Sequence, residues 1–192
     1  MRKALIFLAA GLSRRFGPEN KLLHEVDGSP LYRHTLDKLE RLQGENTCLL
    51  VVTNTPEIQR HCEGRNISWT SSPEAALGIA HSLRAGLEAA GDPDAYACFV
   101  ADQPKLREET IRRFLETCEA SGAGLGCLAC GETWGNPVWF AAEYRPELLA
   151  LTGDTGGKAV LRRHPERVLT VAAENWELKD VDLPLAIPEK MD

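Results

Sequence analysis

The sequence predicts an α/β protein built on a doubly wound, mostly parallel sheet. Short, continuous apolar runs alternate with amphipathic segments through the first two thirds of the 192 residues. Apolar runs of this kind are typical of parallel strands that helices cover on both faces. Proline or glycine also stands at several predicted helix ends. We expect residues 1–192 to form one domain, because a chain of this length has room for a single core.

The opening segment, MRKALIFLAAGLSRRFG, has two incompatible interpretations. Two basic residues before an apolar run resemble a secretory signal, whereas Lys3–Leu8 also has the composition of a buried first strand. A signal peptide needs small residues at a cleavage site, and here Arg14, Arg15 and Phe16 follow the apolar run instead. The strand interpretation is therefore favoured, and it leads into a glycine turn.

The remaining elements follow in order along the chain. The patterns predict strands at 48–53, 67–70 and 95–101, and helices at 31–42, 53–62, 78–91 and 107–122. This alternation indicates a Rossmann-like winding with right-handed crossovers. The last third has a different pattern, with strand-like runs at 124–130, 137–140, 167–172 and 178–182 and one helix at 153–165. We expect it to form a small β/α lobe at the carboxyl edge of the sheet.

Charge and cysteine content exclude several classes of protein. A net charge of −6 argues against general nucleic-acid or membrane-surface binding, because an acidic surface is repelled by phosphate groups. No apolar run is long enough to span a bilayer. The six cysteines are irregularly spaced, which indicates a reduced, cytoplasmic protein. Cys48, Cys98 and Cys127 lie in apolar runs and are expected in the core. The CxxC pair Cys127 and Cys130 has no second pair to complete a zinc site, so core thiols are favoured over a zinc or redox role.

Two predicted turns carry the residues that could perform chemistry. In open α/β sheets, ligands bind beyond the carboxyl ends of the strands. The turn after the first strand, AAGLSRRFGPENK, combines small residues that allow close backbone approach with Arg14, Arg15 and Lys21. It is neither a dinucleotide fingerprint nor a P-loop, and an ordinary turn with solvated arginines is the alternative.

The second turn, ADQPK, places Asp102 directly after a buried strand. A carboxylate there can bind Mg²⁺ together with substrate phosphate oxygens, although a strand-terminal aspartate often only forms a turn. Near the end of the chain, Asp180 and Asp182 alternate in KDVD, and on a strand they would share one face. Together these residues favour metal-assisted phosphoryl chemistry.

Six segments in this order resemble the molybdopterin cytidylyltransferase group of the molybdopterin nucleotidyltransferase-like family. They are LAAGLSRRFG followed by Lys21, then GIAHSLRAG, DQP, GNPVWF, GDTGGK and DVD. The resemblance implies a nucleotide-diphospho-sugar transferase-like fold. It also implies an enzyme that transfers a nucleoside monophosphate from CTP to a phosphorylated acceptor, molybdopterin, with release of pyrophosphate. Mg²⁺ is the implied cofactor, and a molybdoenzyme or its chaperone is an implied transient partner.

The same resemblance assigns roles to individual residues. It places Arg15, Lys21 and Asp102 in catalysis and makes Asp102 a metal ligand, with Asp182 favoured over Asp180 as the second. Nucleotide binding falls to Leu8, Ala9, Ala10, Gly11 and Ser82, in addition to Arg15 and Lys21. Asn136 and Asp154 are implied to bind the acceptor.

Four departures from the family pattern leave the substrates open. Phe16 replaces a methionine, the segment from Gly17 to Lys21 is one residue longer than usual, Asn136 replaces a histidine, and DVD lacks the usual T-P-E-D. The alternatives are a guanylyltransferase that uses GTP, and an enzyme for another acceptor such as methylerythritol phosphate or a sugar phosphate. An alternative of a different class is a non-catalytic nucleotide-binding regulator.

Overall fold

The computed structural model describes residues 1–11, 20–65 and 67–181. Its strands are β1 (Lys3–Leu8), β2 (Glu25–Val26), β3 (Ser29–Pro30), β4 (Thr47–Val52), β5 (Ser68–Thr70), β6 (Ala95–Val100), β7 (Leu125–Cys130), β8 (Thr133–Ala141) and β9 (Val168–Ala172). Its α-helices are α1 (Arg33–Glu40), α2 (Pro56–Gly64), α3 (Ile79–Ala89), α4 (Glu108–Ser121), α5 (Arg145–Leu149) and α6 (Lys158–Arg163). Short 3₁₀ helices occur at Lys21–Leu23, Ala75–Leu77, Ala142–Tyr144, Pro165–Arg167 and Asn175–Leu178.

Seven strands form one sheet in the order β5-β4-β1-β6-β8-β7-β9. Only β8 runs antiparallel to its neighbours in this sheet, so the predicted doubly wound, mostly parallel class is confirmed. The last third differs from expectation in one respect. Its strands continue the central sheet, because β8 returns alongside β6 and pairs with it from Ala95↔Ala141 to Cys98↔Val138.

Two hydrophobic layers cover the sheet, one on each face. Helices α1, α2 and α4 contribute to the layer that contains Leu5 and Phe7 of β1. Helices α3, α5 and α6 contribute to the opposite layer, which contains Ala4 and Ile6. No helix in the described ranges is long and apolar enough to cross a membrane.

Strand β1 lies in the middle of the parallel part of the sheet and has the predicted limits. It pairs with β4 on one side and β6 on the other, so that Leu8 is aligned with both Val52 and Val100. Its residues Ala4 to Phe7 are completely buried. The strand interpretation of the opening segment is confirmed, and the ends of the three central strands lie side by side.

The cysteines are free thiols, and most lie in the core as predicted. Burial raises the pKa of Cys98 to about 12 and that of Cys127 to about 11, so both thiols stay protonated at neutral pH. Cys127 and Cys130 lie three residues apart on β7, which places them on opposite faces of the strand. The expectation for Cys48 is wrong, because it is exposed at the start of β4, before the helix layers cover that strand.

The chain after β9 does not form the strand predicted for 178–182, as far as it is described. Residues Asn175–Leu178 form a 3₁₀ helix, and residues 179–181 have no regular structure. Asp180 therefore does not lie on a strand, and Asp182 lies outside the described residues. The described part of this segment contacts the turn after β6 instead of pairing with a strand.

Candidate functional site

The ends of β1 and β6 form the wall of a cleft at the carboxyl edge of the sheet. The Ala101 N–H donates to the Leu8 carbonyl across 3.2 Å, which holds the two following turns together. Both turns line a cavity of about 300 Å³, the first with Gly11 and the second with Asp102. We call this cavity the first cleft. The convergence expected from parallel strand ends is present.

Lys21 and Asp102 meet at this cleft. Lys21 Nζ lies 2.7 Å from Asp102 Oδ2, and the two side chains are 14% and 23% exposed. Lys21 begins a 3₁₀ helix whose preceding residue, Asn20, accepts a hydrogen bond from the Leu22 N–H and donates one to Thr55 Oγ1. These contacts hold the lysine beside the aspartate although they are 81 residues apart. The result is a half-buried charge pair that faces a ligand-sized cavity.

The small residues of the first turn contribute unequally. Leu8, Ala10 and Gly11 line the first cleft. Ala9 does not, because its side chain is buried in the opposite hydrophobic layer and its N–H donates to the Val52 carbonyl at 2.8 Å. Of the predicted nucleotide-binding residues in this turn, three therefore face the cavity and Ala9 supports them from behind.

Ser82 also lines the first cleft, from helix α3. It is buried, and its hydroxyl lies 3.4 Å from the hydroxyl of Ser72. Ser72 is held in turn by Asn54, which accepts from the Ser72 N–H at 2.8 Å and donates to its carbonyl at 2.7 Å. Sequence reasoning missed Ser72 and Asn54, since single polar residues after predicted strands gave no distinct signal.

A close backbone contact positions Asp154. Gly78 has φ +122°, and a Cβ on it would lie 2.2 Å from the carbonyl oxygen of Gly153. The Ala80 N–H donates to the same oxygen at 3.1 Å. The GIAHS and GDTGG segments therefore meet here without space for a side chain. Asp154 follows directly and lines the first cleft.

A second cleft of about 410 Å³ shares a wall with the first. Leu8, Ile79, Val100 and Asp154 line both cavities. Asn136 from β8 faces only the second cleft, so the two predicted acceptor-binding residues, Asn136 and Asp154, are brought together there.

Three polar residues of the second cleft were not predicted. Thr155, Lys158 and Arg162 line it, the last two from α6. The quoted GDTGGK segment includes two of them, so the motif itself held a signal for this part of the site.

The chain after β9 closes the far side of the Asp102 turn. The Val181 N–H donates to the Asp102 carbonyl at 2.9 Å. Gln103, which is buried, donates from Nε2 to the Leu178 carbonyl at 3.0 Å. We call residues 174–181 the closing segment. Its contacts bring the KDV part of KDVD next to the turn that carries Asp102.

A buried ion pair anchors the closing segment. Glu177 is completely buried and accepts hydrogen bonds from the Arg107 backbone N–H, Nε and Nη2 at 3.0 to 3.1 Å. Burial alone would raise the pKa of Glu177, but the hydrogen bonds from Arg107 and from the Glu174 N–H lower it to about 2. No sequence pattern indicated this contact, because its partners lie 70 residues apart.

Two predicted site residues, Arg15 and Asp182, lie outside the described residues. Asp180 is described and exposed. Within the described ranges, no group of three or more histidine, cysteine, aspartate or glutamate residues could hold a metal ion. Mg²⁺ commonly binds proteins through one or two carboxylates and takes its other ligands from phosphates and water. Asp102, with its carboxylate on the cleft wall, fits that pattern.

The arrangement agrees with a match to a known family. The sequence model of one protein family, the MobA-like NTP transferase domain, matches residues 5–168 of this chain. The chain belongs to this family. Its members are nucleotidyltransferases, so family membership and cleft geometry point to the same broad chemistry.

Relatives and solved structures support the family and the fold. The bifunctional protein GlmU of Clostridium tetani is 31% identical over 124 residues, which cover 64% of this chain and 27% of that protein. The chain thus spans about a quarter of the length of this curated relative. A nucleotidyl transferase from Methanothermobacter thermautotroptrophicus matches with a TM-score of 0.79 and 22% identity, covering 95% of this chain and 92% of the other.

Rv0371c from Mycobacterium tuberculosis H37Rv matches with a TM-score of 0.76 and 22% identity, covering 95% and 94% of the two chains. A complex of Rv0371c with manganese also matches, with a TM-score of 0.69 and 19% identity over 91% and 90%. At these identities the structures establish the shared fold.

Proposed function

We propose that this protein transfers a nucleoside monophosphate from CTP to the phosphate of an acceptor such as molybdopterin, with release of pyrophosphate. The observation that carries the proposal is the Lys21–Asp102 pair, 2.7 Å apart on the wall of a cleft that the glycine turn also lines. A cation for phosphate oxygens, a carboxylate for a metal and small residues for close approach are the groups that phosphoryl transfer needs.

The first cleft is proposed to hold the nucleotide. Leu8, Ala10 and Gly11 line one side of it and allow the nucleotide to approach the backbone. Ser82 lines the helix side, where a hydroxyl can reach the base or ribose. Lys21 is proposed to neutralise the triphosphate, together with Arg15 from the part of the turn outside the described residues. LAAG rather than LAGG at residues 8–11 favours CTP over GTP, by resemblance to the cytidylyl group.

Asp102 is proposed to hold Mg²⁺, with an acid of KDVD as its second carboxylate. Its carboxylate is partly exposed on the wall of the first cleft and is held in direction by Lys21. The hydrogen bond from the Val181 N–H to the Asp102 carbonyl supports a contribution from the end of the chain, and we favour Asp182. When bound, Mg²⁺ supplies positive charge that stabilises the negative phosphates. The manganese complex of the mycobacterial protein supports a divalent ion in this fold.

The second cleft is proposed to hold the acceptor, between Asn136 and Asp154. An oxygen of the acceptor's phosphate forms a bond to the α-phosphorus, while the bond from that phosphorus to the bridging oxygen breaks. Pyrophosphate leaves with the electron pair. No covalent enzyme intermediate is needed, so the residues act by positioning and by neutralising charge. The wall shared by the two clefts brings the reacting groups together.

Release of pyrophosphate tests the proposal. The purified protein is assayed with magnesium, with CTP or GTP, and with molybdopterin present or absent. We expect release that requires the metal and the acceptor and is faster with CTP. Faster release with GTP would make the protein a guanylyltransferase. Activity with methylerythritol phosphate or a sugar phosphate, and none with molybdopterin, would assign a different acceptor to the enzyme. Nucleotide binding without turnover of any acceptor would contradict the proposal and support a regulator.

A further inference from the structure

We propose that Lys158 and Arg162 form a binding site for an anionic group of the acceptor, separate from the phosphate that reacts. The inference rests on the proposed function in one respect, since it takes the ligand of the second cleft to be the acceptor. It adds a requirement on substrate chemistry: the acceptor carries a second anionic group in addition to the phosphate that reacts.

The two cations are held on one side of a short helix. Lys158 and Arg162 are four residues apart on α6, which places them one turn above each other, and both line the second cleft. The start of α6 lies close against the sheet, because a Cβ on Gly157 would lie 2.9 Å from Phe140 Cζ. The helix backbone that carries the two cations is therefore held against the sheet beside the cavity.

Neither cation has an ion-pair partner among the residues that the structure describes. The next residues along the chain behave differently. Arg163 lies 3.5 Å from Glu147, and His164 lies 2.8 Å from the same carboxylate. Two like charges four residues apart on a helix repel each other. A pair that costs stability in an acidic protein, and that lines a cavity, is best explained by an anionic ligand.

The Lys158 ammonium influences the floor of the cleft. Cys127 is buried in β7 beside Val138, a residue that lines the second cleft. Burial is the main effect on the pKa of Cys127 and raises it, whereas the charge of Lys158 acts in the opposite direction. This effect indicates that the Lys158 ammonium lies near the sheet, in agreement with its place on the lining of the second cleft.

The anion bound here is distinct from the reacting phosphate. The reacting phosphate must reach the nucleotide beside Lys21 and Asp102, and those residues line only the first cleft. Lys158 and Arg162 line only the second. An acceptor that reaches both places has anionic groups at two separate positions. Its middle part passes the apolar wall formed by Leu8, Ile79 and Val100.

A titration with inorganic phosphate tests the site without using the reaction. Amide chemical shifts of residues 154–163 are followed at constant ionic strength in the wild type, in the K158Q/R162Q double variant and in Arg163→Gln. Arg163 is the matched control, since it is the adjacent arginine and is paired with Glu147. We expect saturable shifts in the wild type and an affinity at least about tenfold weaker in the double variant, because two charge-assisted contacts are lost. The phosphate affinity of Arg163→Gln should stay within about twofold of the wild type, because this substitution removes no contact with the bound phosphate.

Equal phosphate affinity in the double variant and the wild type would overturn the proposal, as would the absence of saturable shifts in the wild type. Circular dichroism confirms that the variants are folded. Steady-state turnover supplies a second readout. The double variant should raise the acceptor KM by about tenfold or more and leave kcat and the CTP KM within about twofold. An equal rise in the CTP KM would contradict the assignment, since the cations would then serve the triphosphate.

The two arms separate this inference from the proposed function. If the wild type binds phosphate, the double variant does not, and the wild type turns over no acceptor, then the cationic site stands and the proposed function fails. If turnover is intact and insensitive to both substitutions, the proposed function stands and the site fails.

Discussion

The two clefts share a wall, yet they balance charge in different ways. In the first cleft, Lys21 is compensated by Asp102 at 2.7 Å within the protein itself. In the second, Lys158 and Arg162 have no ion-pair partner in the described part of the chain. The first cleft pairs its cation before any substrate arrives. The second is lined by two cations and one carboxylate, Asp154, so it leaves net positive charge for its substrate to balance. Substitutions in the two clefts should therefore affect different kinetic parameters.

The largest expected effect follows from removing the carboxylate of the first cleft. Asp102→Ala should lower kcat/KM by about 10² to 10³-fold, or about 2.7 to 4 kcal/mol, because it removes a charged group that stabilises the transition state. The variant should remain folded, since the side chain is partly exposed. Pyrophosphate release measures the effect, and Asp92→Asn, at a side chain that is 92% exposed, is the control. Turnover at the wild-type level would remove Asp102 from the mechanism.

The next effect concerns the wall between the clefts. Gly78→Ala should destabilise the fold by about 3 to 4 kcal/mol, because it combines a steric clash with a backbone conformation that only glycine adopts easily. The added Cβ would lie 2.2 Å from the Gly153 carbonyl at φ +122°. Urea unfolding measures the loss. Gly44→Ala is the matched control, since a Cβ there has nothing within 4 Å. A similar loss of unfolding free energy in both variants would show that the close contact between Gly78 and Gly153 does not limit the side chain at residue 78.

A smaller effect is expected where the closing segment is anchored. The pKa of Glu177 is about 2 in the fold and 4.5 ordinarily, so its ionised form favours folding above pH 4.5. This contribution, on the order of 3 kcal/mol, should disappear as the pH falls from about 4.5 to about 2. Glu177→Gln should remove most of it at neutral pH. Urea unfolding at several pH values measures both changes.

Glu166 provides the control for that experiment, because its side chain is 69% exposed and its ion pair with Arg167 is solvated. Glu166→Gln should change the free energy of unfolding by less than about 0.5 kcal/mol. If Glu177→Gln were equally mild and left the pH dependence unchanged, the closing segment would not be anchored by this ion pair.

The smallest effect separates the nucleotide side from the acceptor side. Ser82→Ala should raise the CTP KM by about fivefold, since one hydrogen bond between neutral groups is worth about 1 kcal/mol. The acceptor KM should not change, because Ser82 lines only the first cleft. Steady-state kinetics with each substrate varied in turn measures both values. A rise in the acceptor KM alone would reverse the assignment of the two clefts.

The parts of the fold that the sequence predicted well depend on local patterns. Lys3–Leu8 was predicted with its observed limits, because a fully buried strand needs a continuous apolar run. The meeting of Lys21 and Asp102 followed from the rule that parallel strand ends share one edge of a sheet. The fold class and the proximity of the first and second turns were therefore predictable.

The parts that were missed depend on contacts between distant residues. Glu177 is one of many acids in the sequence, and its burial depends largely on hydrogen bonds from Arg107, which lies 70 residues away. The place of β8 beside β6 likewise depends on a long-range pairing that apolar runs do not encode. The alternation in KDVD predicted a strand that the described residues 178–181 do not form, since they contact the Asp102 turn through the Val181 N–H and the Leu178 carbonyl instead. The roles of all the predicted site residues stay predictions, and Arg15 and Asp182 also lie outside the described residues.

A crystal structure with CTP and magnesium tests the central claim most directly, namely that the first cleft holds the nucleotide and the second the acceptor. We expect the triphosphate beside Lys21 and the glycine turn, and the metal on Asp102 with an acid of KDVD. We also expect the second cleft to remain accessible next to the α-phosphorus. A triphosphate bound by Lys158 and Arg162, with Asp102 away from the metal, would contradict the account.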